Sequence, residues 1–250
     1  MAVHELMGTK EKPRDIYMGE HNVKVLVEAL KVLLSRKFQP WEGGEGLVLS
    51  QYVRANLLLG QKALAAGDIS EAILRFEAAG NPPQSISEAK HLLMNLSMID
   101  YWLGVSFAAN RDREQAVLHW KRAAEHRGDF QQMQVHAISE NTYWSALALS
   151  SLGQEEEAKE LFQQIHDYSI ELANQTPKID YFATSLPAML LFEEDLFLRQ
   201  SITAKFLQAQ ALFGLGRSTE GAEMLAEVRS LDANHTGAAD LQSTIETAVR

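Results

Sequence analysis

The stretch Leu57–Gly80, LLLGQKALAAGDISEAILRFEAAG, decides how this chain folds. Apolar residues on both sides of Gly67 recur every three or four positions, the period of an amphipathic helix, so the glycine marks a turn between two helices. Five residues after Gly67 comes the small Ala72, and nine after it the large Phe76. Asp68 followed by Glu71 makes a capping pair, because the Asp carboxylate can take up a free backbone N–H of the new first turn. The same grammar returns at Gly153, Ala158 and Phe162, and again at Gly216, Gly221 and Leu225. A fourth copy keeps Ala116 and Trp120 but has Arg111 where the glycine would stand. A repeated helix-turn-helix unit implies a stacked, open architecture, whose usual business is binding.

Composition excludes several functions. The 250 residues are 46% hydrophobic, enough for a continuous core. With no cysteine, disulfides, thiolate metal sites and a cysteine nucleophile are ruled out. Net charge is −10, which repels phosphate backbones where no basic patch is segregated, so nucleic acid is not expected as a partner. Charges at His4, Glu5, Lys10, Glu11, Lys12, Arg14 and Asp15 leave no apolar run for a secretory signal, and no later run approaches the roughly 20 residues of a membrane span. A cytoplasmic location without membrane contact is the expectation.

Along the chain, residues 1–20 read as a flexible arm and Asn22–Arg36 as a first amphipathic helix. The FQPWEGGEG segment from Phe38 to Gly46 breaks it, and 21–250 is expected to form one domain. Repeats are expected over about 47–80, 86–126, 139–174 and 195–231. An ordered insertion at 175–194, containing a short helix, and a capping helix at 236–249 complete the domain. Ser85 with Glu88 has capping-box spacing, which predicts a long helix with Leu92, Leu96, Ile99 and Leu103 in one stripe. Asp112 with Gln115 predicts the start of its partner, and a polar link follows at Gly128 and Asp129.

These residues resemble the tetratricopeptide repeat (TPR) family. Leu59, Gly60, Gly67, Ala72, Phe76 and Ala79 match one repeat; Leu103, Gly104, Phe107, Ala116, Trp120 and Ala123 match a second. Ala146, Leu149, Gly153, Ala158 and Phe162, then Ala209, Leu212, Gly216, Leu225 and Val228, give two degenerate repeats. The resemblance implies an all-α, right-handed superhelical solenoid of antiparallel helix pairs, here with long connections between repeats. KFQPWEGGEG, YWLG, GDFQ and KIDYFATSLP further resemble the C-terminal repeat region of large bacterial proteins whose β-rich N-terminal domain is of a carbohydrate-active-like type and unknown function. That likeness implies no catalytic residue in this chain.

In the TPR family the second, fifth, ninth and twelfth positions of each first helix face a concave groove. Carried over, the fifth positions are Leu57, Tyr101, Tyr143 and Phe206, and the ninth are Gln61, Val105, Leu147 and Gln210; Phe213 extends the row. An apolar, aromatic row suits a helix, a peptide with hydrophobic anchors, or a segment of the same chain, and it lacks the Lys and Asn of a carboxylate clamp. The expected function is therefore a non-catalytic protein-binding or assembly module. One alternative is an accessory glycan-binding module or remnant of a carbohydrate-processing enzyme, using Trp41, Glu42, Glu45, Asp180 and Tyr181, with Ser185 nearby. Another is a homo-oligomeric scaffold with the row as its interface. No cofactor or metal site is expected: His136 with Glu140 makes at most two ligands on a helix face, and His119 with His126 lacks further donors in register.

Overall fold

The computed structural model describes residues 21–37, 46–87, 90–131, 134–177 and 195–248. The arm at 1–20, most of the 175–194 insertion and all five residues of the glycan alternative lie outside them. The chain is an all-α solenoid of consecutive helix pairs. Helix α1 (His21–Ser35) precedes four pairs: α2 (Leu47–Ala65) with α3 (Ile69–Gly80), α4 (Ser97–Ala109) with α5 (Arg113–Glu125), α6 (Thr142–Ser151) with α7 (Glu155–Asn174), and α8 (Leu196–Gly214) with α9 (Ser218–Leu231). Helix α10 (Thr236–Ala248) follows.

The four intra-pair turns are built alike. At Gly67, Gly153 and Gly216 the backbone is left-handed, with φ of 82°, 80° and 76°, and Arg111 takes the same conformation at φ 63°. In each turn the next residue's N–H reaches back to a carbonyl near the end of the first helix: Asp68 to Ala63, Asp112 to Phe107, Gln154 to Leu149 and Arg217 to Leu212. This is the Schellman closure, which satisfies carbonyls that the helix end would leave free. Asp68 and Asp112 then accept from the N–H of Glu71 and Gln115, each at 3.1 Å, capping the second helix as the sequence predicts.

Within pairs, absent side chains admit large ones. A Cβ on Gly60 would come within 2.5 Å of the Phe76 ring, and one on Gly104 would overlap the Trp120 indole. Gly214 does the same for Phe162, bringing α8 against the preceding pair. Phe76, Phe162 and Phe206 are fully buried. Among the described residues two core clusters result, one joining α1 to α4 around Phe76 and the other joining α5 to α10 around Phe162 and Phe206.

Three local expectations are corrected. The Ser85–Glu88 spacing does not open a helix: Gln84–Ile86 is a single 3-10 turn ended by Ser87 at φ 60°, and α4 starts only at Ser97. Burial of Ile86 in the N-terminal cluster fixes this segment, while Leu92 is 98% exposed rather than part of a stripe. The second repeat therefore begins eleven positions later than the 86–126 expectation. The polar link at Gly128 and Asp129 is an antiparallel hairpin, β1 (Asp129–Gln131) with β2 (Gln134–His136). It is pinned by the buried Asp129 carboxylate, which accepts from the Asn95 N–H (3.1 Å), Ser139 Oγ (2.9 Å) and Asn141 Nδ2 (2.9 Å). Lastly, His136 lies on β2 and Glu140 in the turn before α6, so they share no helix face.

Candidate functional site: the inner face of the first helices

The first helices α2, α4, α6 and α8 pack in succession, and the row carried over from the sequence runs across them. Leu57, Tyr143, Phe206 and Gln210 are buried; Gln61, Tyr101, Leu147 and Phe213 are partly so. The row is thickened by two residues that sequence reading did not assign to it, Trp102 and Trp144. Ring centroids lie 5.4 Å apart for Tyr101 and Trp144, 5.8 Å for Trp102 and Trp144, 5.3 Å for Tyr143 and Trp144, and 5.7 Å for Tyr143 and Phe162. These separations and tilts suit aromatic quadrupoles. The signal in the sequence was the Tyr-Trp pair at 101–102, repeated at 143–144 in the same register. Burial raises the pKa of the Tyr101 phenol, and burial followed by the neighbouring Tyr101 raises that of Tyr143, so both are neutral hydrogen-bonding groups at ordinary pH.

The chain's own α10 reaches this face at Phe206, Glu140 and Arg54. Ala238 and Leu241 are buried in the cluster that contains Tyr143, Trp144, Phe206 and Leu207, and Ile245 packs against it. The His235 ring sits 4.8 Å from that of Phe206. Gly237 lets the helix come close: an added Cβ would stand 3.0 Å from the Phe206 ring and 3.4 Å from Glu140 Oε2. At the far side of the face, Arg54 on α2 holds Asp240 in a two-pronged pair, Nε to Oδ2 and Nη2 to Oδ1, both at 2.7 Å. Arg54 stands three residues before Leu57, and Glu140, in the turn before α6, three before Tyr143, which is the second position of their repeats. Neither residue stands at a fifth or ninth position, so neither belongs to the row carried over from the sequence.

Electrostatics at this contact are uneven. Burial, and then the negative charge of Asp129, push the Glu140 carboxyl up to about 7. Its backbone carbonyl accepts from Gln210 Nε2 at 3.1 Å, while Gln210 Oε1 is buried without a partner. Burial lowers the His235 pKa against the raising effects of Asp232 and Asp240. The neutral ring suits its role, since its Nδ1 accepts from the Ala238 N–H at 3.0 Å and caps α10.

A concavity of about 1090 Å³ lies away from the row, between α3, α4 and α5. There Asp100 pairs with His119 Nδ1 at 2.8 Å, with His126 Nε2 at 3.7 Å. Burial would raise the Asp100 pKa, but hydrogen bonds from His119 and then His126 outweigh it and lower the value. Among the described residues no group of three His, Asp or Glu side chains is placed to hold a metal ion, and no helix is long and apolar enough to cross a membrane.

Comparison with known proteins finds a tetratricopeptide repeat over residues 141–168, which span the third pair's turn and most of α6 and α7. Among solved structures, the chain is similar to a Podosopora anserina protein of nearly identical TPR-like repeats, at 17% identity and a TM-score of 0.37, covering 94% of this chain and 95% of that one. A single-substitution variant of that protein matches at 18% identity and a TM-score of 0.37, covering 93% of each chain.

Proposed function

We propose that this chain is a non-catalytic protein-binding or assembly module that recognises a helix or peptide through the face formed by α2, α4, α6 and α8. Stacked helix pairs generate extended surfaces of this kind, and prior ordering of the helices limits the entropy lost on binding. The observation that carries the reading is that a helix already packs on Phe206 of the row, with buried Ala238 and Leu241 and a two-pronged ion pair at Arg54. The face therefore has the shape and chemistry to hold a helix.

A photo-reactive residue tests this. Placed at Gln61, partly exposed in the row, it is expected to cross-link a partner that the same group at Leu74, 58% exposed on α3, does not reach. Equal capture from both positions would count against the row as the binding face.

A further inference from the structure

The C-terminal helix meets the inner face in a way that specifies what else would fit there. Compared with α8, which buries Ala204, Phe206, Leu207, Ala209, Gln210, Ala211 and Leu212, helix α10 buries Ala238 and Leu241 among its described side chains. Its hold depends on a short pattern: a residue without a side chain at Gly237, a small one at Ala238, an acid at Asp240 and a large aliphatic at Leu241. Each has a counterpart. Phe206 and Glu140 crowd Gly237, the aromatic cluster receives Ala238 and Leu241, and the Arg54 fork receives the carboxylate. Guanidinium and carboxylate match as planar, paired donors and acceptors, so this contact selects for an acid at one register of the helix.

We propose that the partner of this face is an amphipathic helix bearing that same small-x-acid-Leu pattern, and that α10 is a resident occupant which such a helix displaces. The inference rests on the proposed function and names the partner class for it. A tethered helix competes at high effective concentration, so the closed chain binds an incoming helix with an affinity reduced by the fraction of time the face is open. Weakening the tether's own contact tightens binding of the outside helix without changing the face.

The test uses the full chain and a fluorescent synthetic peptide with the sequence of Thr236–Ala248 as the incoming helix. Anisotropy should show weak uptake by the unaltered chain and uptake at least about tenfold tighter by Asp240→Arg, whose own α10 is repelled by Arg54 while the peptide keeps its Asp. Glu223→Arg, the same charge change on the exposed side of α9, should behave like the unaltered chain. Arg54→Asp with Asp240→Arg, which restores a reversed pair, should take up only weakly a peptide that carries Arg in place of its Asp and so still matches the altered face. If Asp240→Arg does not fold, Arg229→Cys with Gln242→Cys serves instead, since these side chains meet across α9 and α10, Arg54 stays in place and the chain has no other cysteine: a bismaleimide bridge should block uptake that the unbridged chain allows. Equal affinity in Asp240→Arg and the unaltered chain would overturn the proposal. So would a dimer of Asp240→Arg by light scattering with exchanged α10 helices, which would make a second copy the occupant. A variant that takes up no peptide yet still cross-links a partner through Gln61 would reject α10 as the mimic and leave the binding face standing; failure of both would remove both.

Discussion

Glu140→Gln is expected to change how stability depends on pH, and the size of the change follows from the site. The Glu140 carboxyl is raised from 4.5 to about 7 by burial and then by Asp129. Because the folded value lies above the unfolded one, the folded chain holds the proton more tightly. The contribution is fully present below about pH 4.5 and is lost as pH rises through about 7. A displacement of this size corresponds to about 3 kcal/mol. One force works the other way: Gly237 brings the N-terminal end of α10 beside Oε2, where a helix end stabilises an anion by about 0.3–1 kcal/mol. Desolvation wins, leaving about 2 kcal/mol. Glutamine keeps the shape and carries no charge. Urea denaturation of both chains from pH 4 to pH 8 should show Glu140→Gln gaining on the unaltered chain as pH rises, by about 2 kcal/mol across the range. A difference that stays constant with pH, or that runs in favour of the unaltered chain at pH 8, would refute the reasoning and mean that the ionised carboxylate is well solvated by donors.

Other substitutions test the packing and turns. Gly60→Ala gains about 1 kcal/mol of helix propensity but drives a Cβ into the buried Phe76 ring at a cost of about 1–3 kcal/mol, so the thermal midpoint should fall; a rise would mean the pair can open. Arg111→Gly relieves a left-handed residue at φ 63° and should raise the urea midpoint by about 0.5–1 kcal/mol of stability, with a loss pointing to contacts of the Arg side chain instead. Asp129→Ala leaves the Asn95, Ser139 and Asn141 donors unserved and should cost about 2–3 kcal/mol, read by denaturation together with faster amide exchange at Asn95; unaltered exchange there would deny Asp129 its pinning role.

The repeating unit was legible because it is local. Turn, cap and small-to-large packing at Gly67, Asp68, Ala72 and Phe76 all fall within ten residues, and each has one dominant physical cause. The connections were not legible in the same way. Ser85 and Glu88 have helix-start spacing, but the buried Ile86 and the left-handed Ser87 decide the local path. Asp129 looked like a polar linker residue because its partners at Asn95 and Asn141 come from both sides of α5 and the hairpin. The meeting of Tyr101 and Tyr143 at Trp144 follows from helix register, whereas the placing of α10 depends on Arg54 finding Asp240, a pairing that no local pattern announces.

The pair joining Arg54 to Asp240 spans 186 positions in the chain. A stack whose units touch only their neighbours melts like a zipper, fraying independently from each end. A clasp between the first pair and the last helix makes the two ends depend on one another: loosening α10 removes a restraint on α2, and loosening α2 frees α10. Cooperativity then comes from the clasp as well as from the interfaces in between, and the two ends of the array are coupled without passing through every unit.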